Sequence, residues 1–297
     1  MTAPSTALVI RPARAEDKAA VLAFAQHTWD WGDYLQWVWD AWLADPRGSL
    51  VVAEIEGRVV AVDMLSEPRP GEGWFQGLRV DPAYRGRGIA LALEVHQLAV
   101  ARERGLHTLR FMTLATNTPV HKNALRHGFT VRSRFLAHRL ELPASAHSGP
   151  LPSGVLRVAP ADAAALWARI PAGPLWAPST GCLGGDWVFA AFAAEWWPAI
   201  VASGAVWRTA DEALIVLNPG LRHVSDPDEQ WLAWIDPGAD GLAAAVATAG
   251  ALCTALGARR LETMWPREPA LEAALAAAGW QPDRDDETML LFALELA

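Results

Sequence analysis

Between an apolar run, Trp74 to Val80, and a long Ala/Leu/Val-rich stretch lies the hexamer Arg85-Gly86-Arg87-Gly88-Ile89-Ala90. This order restricts the chain to architectures in which a sheet strand feeds directly into a helix. Asp81-Pro82 turns the backbone, and two glycines without Cβ atoms let it adopt positive φ. Successive N–H groups then collect at the mouth of a helix beginning near Gly88, where they have no intrahelical acceptor. Arg85 and Arg87 add fixed positive charge. Such a loop suits a phosphate or diphosphate, and its spacing is neither that of a Walker loop nor that of the dinucleotide fingerprint.

The flanking segments form an ordered series. Ala7 to Arg11 reads as a strand, Ala15-Glu16-Asp17 opens a helix running through Phe24, and a second helix spans about Asp33 to Ala44. Leu50 to Ile55 and Val59 to Leu65 are apolar runs split by Glu56-Gly57-Arg58, a hairpin signal. Trp74 to Val80 is a fourth strand. Gly88 to Arg104 is a helix closed by Gly105, His107 to Leu114 a fifth strand, and Asn117 to His127 a helix. Gly128-Phe129 turns into a final hairpin ending near Leu142. The loop of form Arg/Gln-x-x-Gly-x-Gly/Ala after a strand, in this order of elements, resembles the acetyl-CoA pyrophosphate loop of the GNAT superfamily of N-acetyltransferases.

That resemblance implies a mixed α/β fold, acetyl-CoA as acyl donor and an amine as acceptor. It implies that the backbone of Leu78, Arg79 and Val80 pairs with the pantetheine arm. Arg85, Gly86, Arg87, Gly88, Ile89 and Ala90 would hold the pyrophosphate. Asn117 matches a position whose amide contacts the cofactor, although helix capping explains an Asn there equally well. The position at which many members carry a tyrosine that protonates the leaving thiolate is Ala124 here. Either the thiolate leaves without a side-chain acid, or His121 or His127 substitutes; helix-surface roles for both histidines are the simpler reading. The amine must be deprotonated to attack. Glu72, two residues before Trp74 and so on the same strand face, is the candidate base, against the plainer reading of a solvated turn glutamate.

Acceptor information is concentrated in Trp29 to Trp42, with five tryptophans and three aspartates. Asp30, Asp33 and Tyr34 are the candidate substrate-binding residues of an aromatic, acidic pocket for a cationic amine. Leu35, Val38, Trp39 and Trp42 also fall at helical spacing, which is the pattern of a core helix. Asp33-Tyr34-Leu35 with Trp42, Asp45-Pro46 and Gly77 to Val80 are similar, over a short stretch, to histidine-type amino-acid Nα-acetyltransferases of the same superfamily.

After residue 142 the composition changes. Pro143 to Gly154 reads as a linker, and landmarks of the first half then return in order. Leu156-Arg157 answers Ile10-Arg11, Asp236-Pro237 answers Asp81-Pro82, Gly257 answers Gly105, Pro269 answers Pro119 and Gly279-Trp280 answers Gly128-Phe129. Near-constant offsets of about 150 residues imply a repeated domain: residues 1–142 an acetyltransferase domain, 143–154 a linker, and 155–297 a degenerate GNAT-like copy. In that copy Asp236-Pro237-Gly238-Ala239-Asp240-Gly241-Leu242 replaces the cradle, without arginine and with a carboxylate that would repel a diphosphate. Its Trp187, Trp196, Trp197, Trp207, Trp231 and Trp234 read as buried residues.

Charge divides the same way. Residues 1–150 carry 17 Lys/Arg against 15 Asp/Glu, and the remainder 8 against 18. Basic groups therefore concentrate where a polyanionic ligand would sit, and the acidic half disfavours nucleic acid and anionic membranes. The 297 residues and 52% hydrophobic content can fill two cores. No 18-residue apolar span, signal-peptide pattern or metal-ligand spacing is present. Two distant cysteines, Cys182 and Cys253, fit a reducing cytoplasm. The sequence thus predicts a cytoplasmic acetyl-CoA-dependent N-acetyltransferase acting on a primary amine by direct attack in a ternary complex. A non-catalytic acyl-CoA or amine sensor is the alternative, and association up to a homodimer stays open.

Overall fold

The computed structural model describes residues 7–30, 32–143, 149–221, 228–283 and 287–296. Trp31 and the middle of the Pro-rich segment, residues 144–148, lie outside them. The chain forms two compact units, one made of Met1–Phe111, Leu125–Phe129 and Ala293–Ala297, the other of Met112–Ala124 and Thr130–Phe292.

The first unit begins with β1 (Leu8–Pro12), α1 (Asp17–Ala25), α2 (Leu35–Ala44), β2 (Ser49–Ile55), β3 (Arg58–Arg69) and β4 (Glu72–Val80). A short 3-10 turn at Pro82–Tyr84 leads to α3 (Ile89–Glu103) and then β5 (Thr108–Leu114). Strands β1 to β4 are successively antiparallel, and β5 lies parallel to β4. Alternation along the strands divides the core between two faces. Val52, Val62 and Met64 pack with Val21, Leu35, Trp39 and Trp42 of α1 and α2, whereas Val51, Ala53 and Ala61 pack with Ile89 and Leu93 of α3. The β2/β3 hairpin turns at Glu56 and Gly57, both at positive φ, the geometry whose twist matches the flanking strands.

After β5 come α4 (Thr118–Arg126) and β6 (Thr130–Glu141). The second unit continues with β7 (Leu156–Arg157), α5 (Ala163–Trp167), β8 (Cys182–Gly185), β9 (Val188–Ala191), α6 (Trp197–Ala202), β10 (Val206–Arg208), β11 (Leu214–Leu217) and β12 (Glu229–Asp236). It then adds α7 (Leu242–Ala255), β13 (Arg260–Pro266), α8 (Pro269–Ala277), β14 (Gln281–Pro282) and β15 (Met289–Glu295). With β8 and β9 set aside as an inserted hairpin, the pairing repeats that of the first unit. Strands β7, β10, β11 and β12 are antiparallel neighbours, and β13 is parallel to β12. Trp197, Trp207, Trp231 and Trp234 are buried as the sequence suggests, while Trp187 and Trp196 are half-buried. Both cysteines are buried and neither forms a disulfide, and burial pushes the Cys253 thiol up to about 12. Among the described residues no helix is long and apolar enough to cross a membrane.

The hairpin expected between Gly128 and Leu142 does not form. Strand β6 runs unbroken for 12 residues because Thr130 to Glu141 contains no Gly, Pro or Asn to turn it. It pairs instead with β13 in the second unit, from Arg260↔Glu141 to Pro266↔Phe135. Conversely, the far end of the chain serves the first unit: Leu296 N–H donates to the His107 carbonyl at 2.8 Å and Thr108 Oγ1 to Glu295 at 2.6 Å. Each half of the sequence therefore supplies its last strand, in whole or in part, to the other unit.

A buried carboxyl interrupts the first unit's core. Asp63, opposite Val51 on the α3 side of β3, is 2% exposed, and its Oδ2 has no hydrogen-bond partner. Burial, reinforced by the nearby Glu94 carboxylate, pushes its carboxyl up to about 8.

Two outcomes are expected. A chain ending at residue 142 should fail to show a cooperative thermal transition by circular dichroism, because the first unit then lacks its terminal strand; a sharp transition from that fragment would refute the exchange. For Asp63, the unfolded chain ionises from about pH 4 and the native state only near pH 8, so stability falls as pH rises through that window. Asp63→Asn should flatten that dependence and add up to about 5 kcal/mol at pH 8, measured by denaturant unfolding across pH.

Candidate functional site

The parallel pair β4/β5 is short. Register holds for Glu72↔Thr108, Gly73↔Leu109 and Trp74↔Arg110 and then ends, leaving the remaining two-thirds of β4 without β5 beside it. Glu72 is buried and ion-paired with Arg110, which is 12% exposed, across these strands just before they part. Phe129 fills the base of the opening, its ring 6.1 Å from Phe75 and 5.2 Å from Phe111.

Past the opening β4 carries a bulge. Val62 pairs with Arg79 but Met64 with Gln76, so Gly77 and Leu78 together oppose Asp63. Gly77 sits at φ +73°, and a Cβ there would lie 2.6 Å from the Trp42 ring. Glycine is thus required both by the backbone and by the close approach of α2.

Beyond Val80, Asp81 caps the 3-10 turn by accepting from Ala83 N–H at 2.9 Å. Gly86 and Gly88 follow at φ +77° and +78°, with open space where a Cβ would be. The first helical bond of α3 is Ala92 N–H to the Gly88 carbonyl. Among the described residues the six consecutive N–H groups of Gly86, Arg87, Gly88, Ile89, Ala90 and Leu91 have no protein acceptor. Arg85 is tethered to the Val80 carbonyl at 3.2 Å, and Arg87 lies 4.8 Å over the Tyr84 ring. The loop is an open, positively charged cradle at the end of a strand edge, which is the arrangement a diphosphate with an extended polar tail requires.

The acceptor candidates fall on the α1/α2 face. Asp33 is buried and committed: Oδ1 accepts from Leu35 N–H at 3.0 Å and Oδ2 from Arg79 Nε at 2.7 Å. The Arg79 guanidinium lies 4.7 Å over Trp29 and 5.4 Å over Tyr34 and donates to the Leu78 carbonyl at 3.0 Å. The cation facing these aromatic rings is therefore one of the protein's own. Tyr34 stacks on Trp29 at 5.8 Å and meets Trp42 edge-on at 5.9 Å. Its hydroxyl faces the Gly77 N–H and Arg79, and burial raises it above the usual phenol range. Asp30 is exposed.

Leu78, Arg79 and Val80 and the 85–90 loop thus lie consecutively in the first unit. Asn117 falls within the second, donating its amide to Thr113 Oγ1 at 2.9 Å. His121 contacts the Leu114 carbonyl at 3.0 Å, and His127 sits 3.5 Å from Glu94 with its pKa lowered by burial and by Arg102. Sequence reasoning passed over Gly77, although a lone glycine in an apolar strand signals a bulge. It also passed over Asp63, an acid in the run Val59 to Leu65.

The second unit closes the equivalent places with its own atoms. Pairing of β12 with β13 likewise ends after three residues, at Trp231↔Glu262, but Thr263 Oγ1 donates to the Leu232 carbonyl at 2.6 Å across the opening. Before α7, the Asp211 carbonyl takes the Ala239 N–H at 3.0 Å and its carboxylate the Asp240 N–H at 3.2 Å. A Cβ on Gly238 would collide with that carbonyl at 2.2 Å. Asp211 occupies the loop as an internal anion.

Residues 17–129 match the model of the acetyltransferase (GNAT) family. Over 79 residues, 26% of this chain, the sequence is 33% identical to a histidine N-acetyltransferase of Oreochromis niloticus and 32% identical to one of Scomber australasicus. The match spans only 23% of the length of those enzymes. A GCN5-related N-acetyltransferase from Sphaerobacter thermophilus superposes with TM-score 0.63 at 16% identity, covering 99% of this chain and 97% of that one. A tandem GNAT protein from the clavulanic acid biosynthesis pathway does so with TM-score 0.56 at 17% identity, covering 97% and 98%. At these identities the structural likeness is one of fold. Residues 17–129 thus carry the match to the GNAT acetyltransferase family, and the fold of the chain is like that of a tandem GNAT protein.

Proposed function

We propose that the first unit transfers an acetyl group from acetyl-CoA to the primary amine of a small molecule or peptide, with an amino acid as the favoured acceptor class, and that it does so in the cytoplasm. The observation that carries this reading is the row of six open N–H groups from Gly86 to Leu91 beside Arg85 and Arg87. These residues would hold the diphosphate of the donor, and the edge of β4 at Leu78, Arg79 and Val80 would pair with the amides of its pantetheine arm. Acetyl-CoA supplies an activated acyl group, so no covalent acyl-enzyme is required, and neither cysteine lies in this part of the chain.

The choice of acceptor follows from Asp33 and Arg79. Their pair neutralises the acceptor face where a wholly acidic pocket would have selected polyamines, and the short similarity to histidine N-acetyltransferases falls in the same direction. Asp33 and Tyr34 then shape the acceptor wall through Arg79, with Asp30 at its exposed rim. Asn117, at the head of α4, is proposed as a further contact to the donor.

Glu72, the candidate base, is proposed to act first as a clamp. Its bond to Arg110 fixes the carboxylate at the root of the β4/β5 opening. Residues 155–297 form a degenerate copy in this proposal, since Asp211 and Thr263 take the donors and the gap a ligand would use. A non-catalytic sensor of acyl-CoA or of an amine is the alternative, and turnover of acetyl-CoA with a panel of amines excludes it.

Calorimetry with acetyl-CoA should give one site per chain. Gly88→Trp should abolish binding and Arg87→Glu weaken it at least about tenfold, the effect of losing and reversing a charge-assisted contact; two sites would overturn the assignment of the second unit. Glu72→Gln should lower stability by about 3 kcal/mol, as expected when one partner of a buried ion pair is removed, with the pH dependence of kcat keeping its form. Unchanged stability with a displaced pH profile would instead make Glu72 the base.

A further inference from the structure

We propose that Phe129 sets the length of the acyl group the donor can carry, so that the first unit takes acetyl or propionyl and turns away butyryl and longer chains. This rests on the acyl transfer proposed above and deepens it by naming the side chain that selects the donor.

Three observations carry the assignment, all within the first unit. The first is level. Trp74↔Arg110 is the last paired position of β4 and β5, so Phe75 and Phe111 are the next residue on each strand, where the opening begins. Phe129 bridges them: its ring centre lies 6.1 Å from that of Phe75 and 5.2 Å from that of Phe111, edge-on to both. Such edge-to-face contacts are favourable and directional. The second is direction. A donor whose diphosphate sat at Gly86 to Leu91 and whose arm followed Val80 back to Leu78 would bring its acyl end to the Gly77 bulge, pointing along β4 toward Phe75. From Gly77 to Phe75 is about 7 Å of strand, enough for a short acyl group before the rings are met. The third is what stands behind the rings. Phe129 is buried, and Gly128, at φ +88°, turns it in from the end of α4. Further back along the strands lies the buried Glu72–Arg110 pair. A longer chain would have to dislodge the Phe129 ring and lie against charges that are costly to disturb.

Phe75 and Phe111 are only half-buried, so apolar ring surface is left at the head of the opening. The second unit differs at the corresponding level, where a hydrogen bond from Thr263 Oγ1 to the Leu232 carbonyl spans the gap at 2.6 Å. An end wall of phenyl rings suits an alkyl group; a hydrogen-bonded bridge does not.

Calorimetric titration with coenzyme A and its acetyl, propionyl, butyryl and hexanoyl thioesters tests this without an acceptor. The parent should bind acetyl-CoA and propionyl-CoA within about threefold of each other and butyryl-CoA and hexanoyl-CoA at least about tenfold more weakly, the low end of what one surplus methylene costs in a fitted apolar pocket. Phe129→Leu should bring butyryl-CoA to within about threefold of acetyl-CoA. The readout is the ratio of the two affinities, which a general weakening of the fold does not move. Phe111→Leu trims the same wall from the other strand and should shift the ratio in the same direction if Phe129→Leu does not fold. Equal binding of butyryl-CoA and acetyl-CoA by the parent, or an unchanged ratio in folded Phe129→Leu, would overturn the role of Phe129 and leave the acyl-transfer reading intact. Failure of the parent to bind either coenzyme A or acetyl-CoA would overturn both.

Discussion

A parallel strand pair cannot be left half made without something to meet the exposed edge, because each unpaired backbone group shielded from water costs about as much as a lost hydrogen bond. Strands β4 and β5 stay in register for three residues and then separate, with the buried Glu72–Arg110 pair at the point of divergence and Phe129 wedged beneath. The bulge at Gly77 and the cradle at Gly86 to Leu91 are arranged along the edge so released. In the function proposed above, a diphosphate and an amide-rich arm would both be met by one strand and one helix start. Bulge, cradle and acceptor wall have little use without the parting of these two strands.

The second unit shows what the same topology does when side chains fill the corresponding places. It keeps the order of strands, the three-residue parallel pairing and even an irregularity between its third and fourth antiparallel strands, at Val216/Leu217. It then satisfies its own backbone: Thr263 spans the gap and Asp211 accepts from the loop before α7.

Much of this was legible in the residues. The strand and helix series of the first half, the cradle and the return of landmarks after residue 154 follow from periodicity, glycine placement and spacing, which are local properties of the chain. The observed elements lie within a few residues of those expected, and β6 departs because its pairing partner is about 120 residues away in sequence, beyond what any local pattern encodes. For the site, the aromatic run Trp29 to Trp42 announced a wall but not its chemistry. That Asp33 would be neutralised by Arg79, 46 positions on, depends on register and on the bulge. The Arg110 partner of Glu72 was hidden for the same reason: it sits on a different strand, and only the parallel pairing brings it near.

The exchange of terminal strands also sets a schedule for synthesis. The first unit needs a contact between Thr108 and Glu295, 187 residues apart, so its sheet stays unfinished until Glu295 has been made. At usual elongation rates that is roughly 10 to 40 s with an open strand edge, a long exposure for a surface that templates further pairing. Tying both units to one late event makes the chain fold as a pair or not at all. The second half cannot then be discarded by truncation, because it carries the piece that lets the other half close.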